Sequence, residues 1–546
     1  MARTVWTYIR NIILACSIVC FAGLSQLEIY YGVLGGENAF GAGQVAKICI
    51  GVAIVAGITG LVLIFRFQHL WTKLFQIPEW QFGLYMLLSV YACGLYTRHL
   101  TELAPAGVDL RFCRLVAAWS LLAFYLFFQI SYRWAAKLCK SMFCGERKFA
   151  RHELVFLGLF IVLAGAAMIA AFAAHPVLHD GTGWGVVYTF DSQRHVALDV
   201  YAMIDNPEND LRNPFFGFFT APFAIPCHIL DSFVYLLFQV RIYAFLIGIL
   251  QIAAIAVSIL LFARMASKNI IGRICVYLLF SSGYTFLLNL FILEQYAFSL
   301  LGLAICIYSY VNDLSDIQPV TGAVAAGYIP SNALILGLPV LKSKPGAFRI
   351  ALKSFGLCVL ILLITGKAMR ILSSVFSMQI MYERFCVSGY SPSGRIEQFL
   401  YSIRTVFLQP AVRDVMVPAD DGRSYMTYLM QEVPDISAFG CLVLILAIAG
   451  LVLNYRDEFS QFCGWWIFVS CSISILVGWG TADNGLIIYT MYFGWTYVCL
   501  LYKLVEHVFS RKKYVLAGGC ALFVGYMAVT NISGLFGLFQ FLKQYY

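Results

Sequence analysis

Glu153-Leu-Val-Phe-Leu-Gly-Leu-Phe-Ile-Val-Leu-Ala-Gly-Ala-Ala-Met-Ile-Ala-Ala-Phe-Ala-Ala174 is an apolar run with polar sequence on both sides. A run of about 20 such residues crosses the hydrocarbon core of a bilayer, so a membrane-spanning helix is predicted over 153–174. Upstream lies the densest block of cations, Arg133, Lys137, Lys140, Arg147, Lys148 and Arg151, opposed only by Glu146. Lysine and arginine mark cytoplasmic loops. Downstream, residues 175–213 therefore fall on the extracytoplasmic side. That segment reads Tyr188-Thr-Phe-Asp191-Ser-Gln-Arg194-His195, followed by Asp199, Asp205, Glu208, Asp210 and Arg212-Asn-Pro214.

The composition gives the polar loop its weight. Of 546 residues, 61% are hydrophobic and only 12% charged, with a mean hydropathy of +0.81. A soluble protein of this length would need far more polar surface. The expected class is all-α, a polytopic membrane protein of the cell membrane. The net charge of +9 comes from cations beside helix ends, so no nucleic-acid partner is implied. Arg3 and Arg10 precede an apolar stretch too long for a cleaved signal, which predicts a retained first helix and a cytoplasmic N-terminus. The 17 cysteines are scattered through apolar sequence without a CxxC pair and read as buried thiols.

Spans are expected over roughly 11–34, 46–66, 80–97, 114–134, 153–174, 240–263, 270–291, 293–311, 350–372, 437–455, 462–479, 485–506 and 515–540, about thirteen crossings with the C-terminus outside. Two apolar segments do not fit as full spans. Residues 215–238 would put Arg264, Lys268 and Arg273 on the wrong side, and Pro222 and Pro226 argue against a straight helix; an interfacial helix is expected. Residues 320–341 are followed by Lys342, Lys344, Arg349 and Lys353 and interrupted by Gly327-Tyr-Ile-Pro330-Ser-Asn332. A broken, re-entrant pair of half-helices satisfies those charges. The outer face then also receives Glu294 in a tight turn, a hydrophilic loop over 373–435, and Asp483 in the turn before Gly485.

On a helix, Asp191, Arg194, His195 and Asp199 share one face. A carboxylate beside an arginine stays ionised and can take a proton or hold a divalent cation. Arg194 and Arg212 suit phosphate, because guanidinium forks match phosphate oxygens. The bland readings stand beside these: Asp191 as a helix cap, His195 as a packed histidine, Asp199 as part of a soluble face, and Asp483 as a turn former.

The order of parts resembles the GT-C superfamily of integral-membrane glycosyltransferases. Those enzymes have an inside-out core helix, an outer loop with a catalytic aspartate, interfacial helices near a His-Pro-Pro-Leu-like element, and a span ending in cytoplasmic arginines. Here 153–174, Asp191, Arg212-Asn-Pro214-Phe-Phe-Gly217 and the run from Val240 to Arg264 stand in that order. Leu293-Glu294-Gln-Tyr296 is similar to the family's next outer turn, and Gly327–Asn332 to its broken segment. The resemblance covers roughly 150–372. The chain departs from it in Ser192, where many members have a second acid, in a single proline after Arg212, and in lacking a large soluble C-terminal domain.

The resemblance implies a polyprenyl-phosphate-linked sugar as donor and a glycan, wall polymer or protein as acceptor, in a bacterial plasma membrane. Asp191 would be the general base, with inversion at the anomeric carbon. Arg212, Arg194 and His195 would face the donor phosphate, while Glu294, Asp199 and Asp483 are candidates for acceptor binding or for a divalent cation, Mg or Mn. The expected organisation is a four-helix module over 1–135, a catalytic core over 150–372 with its outer loop at 175–238, the loop 373–435, and C-terminal membrane helices over 436–546. A transporter or lipid-linked-glycan flippase using the Gly327–Asn332 break is the alternative from another class, and a noncatalytic scaffold is a third.

Overall fold

The computed structural model describes residues 54, 78–103, 110–179, 185–188, 190, 196, 199–203, 213–365, 392–418, 424–431, 436–480, 485–510 and 512–546. The expected spans 11–34 and 46–66 lie outside these, apart from residue 54. In chain order the helices are α1 (Glu79–Leu103), α2 (Leu110–Phe143), α3 (Arg151–Ala174), α4 (Phe216–Phe238), α5 (Tyr243–Ala266), α6 (Ile270–Ser282), α7 (Tyr284–Leu288) and α8 (Tyr296–Val311). Then come α9 (Gln318–Tyr328), a 3-10 stretch Pro330–Leu336, α10 (Gly337–Leu341), α11 (Ala347–Ile364) and α12 (Pro392–Phe407). An antiparallel hairpin pairs β1 (Val412–Pro418) with β2 (Ser424–Met430), Val412 opposite Met430. Helices α13 (Ala438–Leu453), α14 (Glu458–Cys471), α15 (Gly485–Val508) and α16 (Lys513–Tyr545) complete the chain.

Five helices among the described residues are long and apolar enough to cross a membrane: Arg151–Ala174, Phe216–Phe238, Tyr243–Ala266, Glu458–Val477 and Tyr514–Tyr545. The protein is thus predominantly helical and of membrane type, with five such helices among the described residues against thirteen crossings expected of the whole chain. Several expected spans are shorter than the apolar runs that suggested them. The helices Ile270–Ser282, Tyr296–Val311 and Ala438–Leu453 have 13, 16 and 16 residues, and at 1.5 Å per residue they reach about 20–24 Å against a core of about 30 Å.

Contacts divide the chain into two units. The first holds α1, α2, the segment 199–203, α4 and most of α11. Its grouping crosses the boundaries expected from sequence, because α4 and residues 199–203 belong with α1 and α2. Helix α4 was expected to lie in the interface because of Pro222 and Pro226, but it runs unbroken through both and is long and apolar enough to cross a membrane. Proline removes one donor and clashes with the turn before it. At Pro226 the freed acceptor is the carbonyl of Pro222, and the Tyr132 hydroxyl of α2 donates to it. Aromatic contacts of Phe127 with Phe218, at 5.0 Å, and of Tyr132 with Phe223, at 6.4 Å, press the same faces together.

The second unit is built around α5, which is buried along most of its length. Gly248 leaves the space that the Met168 thioether of α3 fills. Phe262 stacks on Trp495 of α15 at 4.6 Å and on Phe280 of α6 at 6.0 Å. At one end a fully buried carboxylate gathers the helices. Glu153 accepts from Arg264 Nε at 2.7 Å and Nη2 at 2.6 Å, from Arg273 Nη1 at 3.0 Å, and from the Ala150 amide at 2.8 Å. Arg264 also donates to the carbonyls of Arg147 and Lys148. Arg273 Nε continues to the Ser267 carbonyl, and the Ser267 hydroxyl donates to Glu506 of α15 at 2.7 Å. One acid thereby fixes the ends of α3, α5 and α6, and through Ser267 that of α15.

Helix interruptions in this unit are sealed by side chains. The expected span 270–291 breaks at Gly283, where Asn531 Nδ2 of α16 takes the carbonyls of Ser282 and Phe407, each at 2.7 Å. The segment 318–341 breaks at Ile329, and Asn332 Nδ2 reaches the Ala325 carbonyl at 3.0 Å and the Ser299 hydroxyl at 2.9 Å. Within the expected loop 373–435, Phe399, Leu400, Ile403, Val406 and Phe407 form the buried face of α12. The hairpin beyond it is a small exception to an all-α chain.

Removing Glu153 alone should cost far more than removing the whole cluster. Breaking a buried ion pair from one side costs about 3–5 kcal/mol, while replacing all members with apolar residues of similar volume is close to neutral. Glu153→Ala is expected to lower the thermal midpoint of the purified protein strongly. The triple variant E153M/R264M/R273M should recover most of that loss, and a midpoint as low as that of the single variant would refute this account.

Candidate active site

The residues singled out by sequence divide sharply. Asp191, Arg194, His195, Arg212 and Asp483 lie outside the described residues. What the structure does show is the anchor directly before Asp191, and the environments of Asp199 and Glu294.

The anchor belongs to the second unit. Val186–Tyr188 runs beside β2 as a third, parallel partner: the Tyr188 amide donates to the Tyr428 carbonyl and the Tyr428 amide to the Val186 carbonyl, both at 2.8 Å. Tyr188 takes a left-handed φ of 49°, uncommon for a residue with a bulky side chain. Its ring is fully buried, and its hydroxyl meets that of Tyr284 at 2.7 Å. Its ring also packs edge-on against Tyr428 at 5.5 Å. Burial pushes the Tyr188 hydroxyl well above its usual range, helped by Tyr284 and Tyr428. Burial likewise pushes Tyr428 up to about 12, with Asp414 adding to the rise and a hydrogen bond from Gln409 opposing it. Both hydroxyls therefore stay protonated and act as hydrogen-bonding struts. Phe190, one residue before Asp191, is buried as well.

Glu294 is buried rather than presented at an exposed outer turn. The cause is Gln251 of α5, whose Nε2 donates to the carbonyls of Asn289 at 2.6 Å and Ile292 at 2.7 Å, and whose Oε1 accepts the Glu294 amide at 2.8 Å. Gln251 lies eight residues past the start of α5 at Tyr243, about 12 Å along the helix. The turn 289–294 is therefore held well below the end of α5. The same connection begins at Tyr284, on which Tyr188 rests. A buried acid and the strand leading to Asp191 thus share one rigid support.

Asp199 lies in the first unit and forms a carboxylate–imidazole pair. His228 Nε2 of α4 meets Asp199 Oδ2 at 2.7 Å, and both side chains are largely buried. Asp199 has a φ of 51°, and its carbonyl accepts the amides of Ala202 and Met203. The turn is fastened to α4 a second time by the Thr220 hydroxyl, which donates to the Tyr201 carbonyl at 2.8 Å. From α1, the Tyr91 hydroxyl reaches the His228 carbonyl at 3.2 Å and Ser232 at 2.7 Å. One turn further, buried Asp231 pairs with Arg241 at 3.0 Å, and that guanidinium lies over the Tyr235 ring at 3.8 Å. A carboxylate that orients an imidazole can support proton transfer.

His228 and the three tyrosines were not singled out from sequence. His228 and Asp231 are the only titratable residues other than cysteine and tyrosine in the run 215–238, a signal that attention to its prolines obscured. Nothing local marks Tyr188, Tyr284 and Tyr428, which are far apart in the chain. Among the described residues no group of three histidines, cysteines, aspartates or glutamates gathers to hold a metal ion. No protein-family model, curated protein or solved structure matches this chain.

Asp199→Ala should free the turn 199–203 from α4. A hydrogen bond to a charged group contributes about 1.5–3 kcal/mol. Amide exchange at Ala202 and Met203 should accelerate by about ten- to a hundredfold, since 1.4 kcal/mol corresponds to a factor of ten. Unchanged exchange would mean that the pair does not hold the turn.

Proposed function

We propose that this chain is an integral-membrane glycosyltransferase that moves a sugar from a polyprenyl-phosphate donor to a glycan, wall polymer or protein acceptor at the extracytoplasmic face. The observation that carries this reading is the anchor of the Asp191 loop. Three residues before Asp191, Tyr188 is locked by backbone bonds to β2 and by its hydroxyl to Tyr284, on the connection that also holds Glu294. Reactive groups need such rigid support, because small misplacements are costly in rate. Tyr284, which carries this anchor, follows the end of α6, whereas Arg273 of the Glu153 cluster lies in the first turn of that helix.

In this mechanism Asp191 deprotonates an acceptor hydroxyl as it attacks the anomeric carbon, and the lipid phosphate leaves with the bonding electrons. Arg212, Arg194 and His195 would offset the charge that develops there. Attack from the far face inverts the anomeric centre. The break at Ile329 favours the second reading, a flippase, because broken helices line transport paths. Its Nδ2 contacts seal the break, but Asn332 Oδ1 is a buried acceptor with no hydrogen-bond partner among the described residues.

Purified protein supplied with polyprenyl-phosphate sugars and acceptors should transfer sugar, and Asp191→Asn should slow transfer by about 10²–10⁴-fold, the contribution of a positioned general base. Transfer at the wild-type rate would remove Asp191 from the mechanism. Translocation of the lipid-linked sugar without transfer would favour the flippase.

A further inference from the structure

Helices α10, α13 and α14 enclose a groove of about 480 Å3 walled by Leu338, Leu451, Val452, Trp465 and Phe468. Val452 and Phe468 are more than half exposed, so the groove opens on the surface of helices that suit a membrane. One end is polar. There Gln461 accepts from Lys342 through Oε1 and donates through Nε2 to the Tyr455 carbonyl at 2.6 Å. Arg456 Nε in turn donates to the Tyr455 hydroxyl at 2.8 Å.

The charge balance around that end is uneven. Lys344 pairs with Glu458, and Lys503 with Asp457 at 3.3 Å. Lys342 and Arg456 are exposed, and among the described residues neither meets a carboxylate. Two cations without acidic partners thus flank the polar mouth of an apolar groove. From Gln461 to Phe468 the wall runs seven residues of α14, about 10 Å. A groove of this size can take a chain of methylenes, and the cations suit a phosphate at its head.

We infer that this groove binds an anionic diacyl phospholipid, with one acyl chain against Leu338, Val452 and Phe468 and the phosphate at Lys342 and Arg456. The lipid is a resident of the membrane and is separate from the donor proposed for the Asp191 loop; the site stands whether or not that proposal holds.

Native mass spectrometry of the full-length protein, titrated with phosphatidylglycerol or phosphatidylcholine of the same acyl chains, tests the inference. Each cation near an anionic headgroup strengthens binding by about fivefold, so phosphatidylglycerol should bind about twentyfold tighter. K342Q/R456Q should abolish that preference, weakening phosphatidylglycerol binding far more than phosphatidylcholine binding. Leu338→Trp, which fills the groove with both cations intact, should weaken both lipids. The inference is overturned by an absent preference in the wild-type chain, by a preference that survives in the double variant, or by undiminished binding to Leu338→Trp. Displacement of bound phosphatidylglycerol by an equimolar polyprenyl phosphate would also overturn it, by making the groove a donor site.

Discussion

A backbone carbonyl freed inside an apolar bundle has no water to turn to, and this constraint organises the chain more than any single helix does. Each unmet group would cost several kcal/mol in hydrocarbon. Prolines and breaks recur along the helices, and a side chain meets a backbone carbonyl at each of those traced above. Tyr132 answers Pro222, Asn531 answers Ser282, and Asn332 answers Ala325. Gln251 does the same for the turn at Asn289 and Ile292. These contacts are also tertiary ties, since all but that of Asn332 to Ala325 join separate elements. Breaking helices and holding them together are therefore one device here, and it lets a turn such as 289–294 lie below the end of a neighbouring helix.

The same economy explains why Glu153 is buried. An isolated carboxylate would neutralise rather than remain charged in such a place. Two guanidinium groups and a backbone amide instead saturate its oxygens. The pairing adds little to net stability over an apolar core of equal volume. Its consequence is positional: Arg264 fits only if α3 and α5 end at the same level, so the cluster sets the register of antiparallel helices whose apolar faces would tolerate sliding.

Sequence made part of this legible. The apolar run at 153–174 became α3, Arg264 closes α5, and the break expected near Gly327–Asn332 is present. These features depend on local composition, which sequence displays directly. Span lengths were not legible, because an apolar run continues through a break whose partner, such as Asn531, lies some 250 residues away. The prolines misled for the same reason: their effect on α4 depends on Tyr132. Asp199 was named from sequence but its partner His228 was not, since polarity within an apolar run says nothing about what faces it. Glu294 was placed at a turn, yet its depth is set by Gln251, a residue without a local signature.

Two different kinds of tie hold the second unit. The end carrying Glu153, Arg264 and Arg273 is held by interlocked charges, while the opposite end uses neutral tyrosine hydroxyls and a short ladder of backbone bonds. Neutral struts leave the local electrostatics to other groups. A carboxylate placed beyond Tyr188 would feel no fixed charge from Tyr188 or Tyr284, so its state would be governed by the substrate and by the cations of its own loop. Charged struts of the Glu153 kind would bias such a carboxylate permanently. The site of the proposed glycosyltransferase, which would bind an anionic lipid phosphate and retain a basic carboxylate, would be better supported by tyrosines than by arginines.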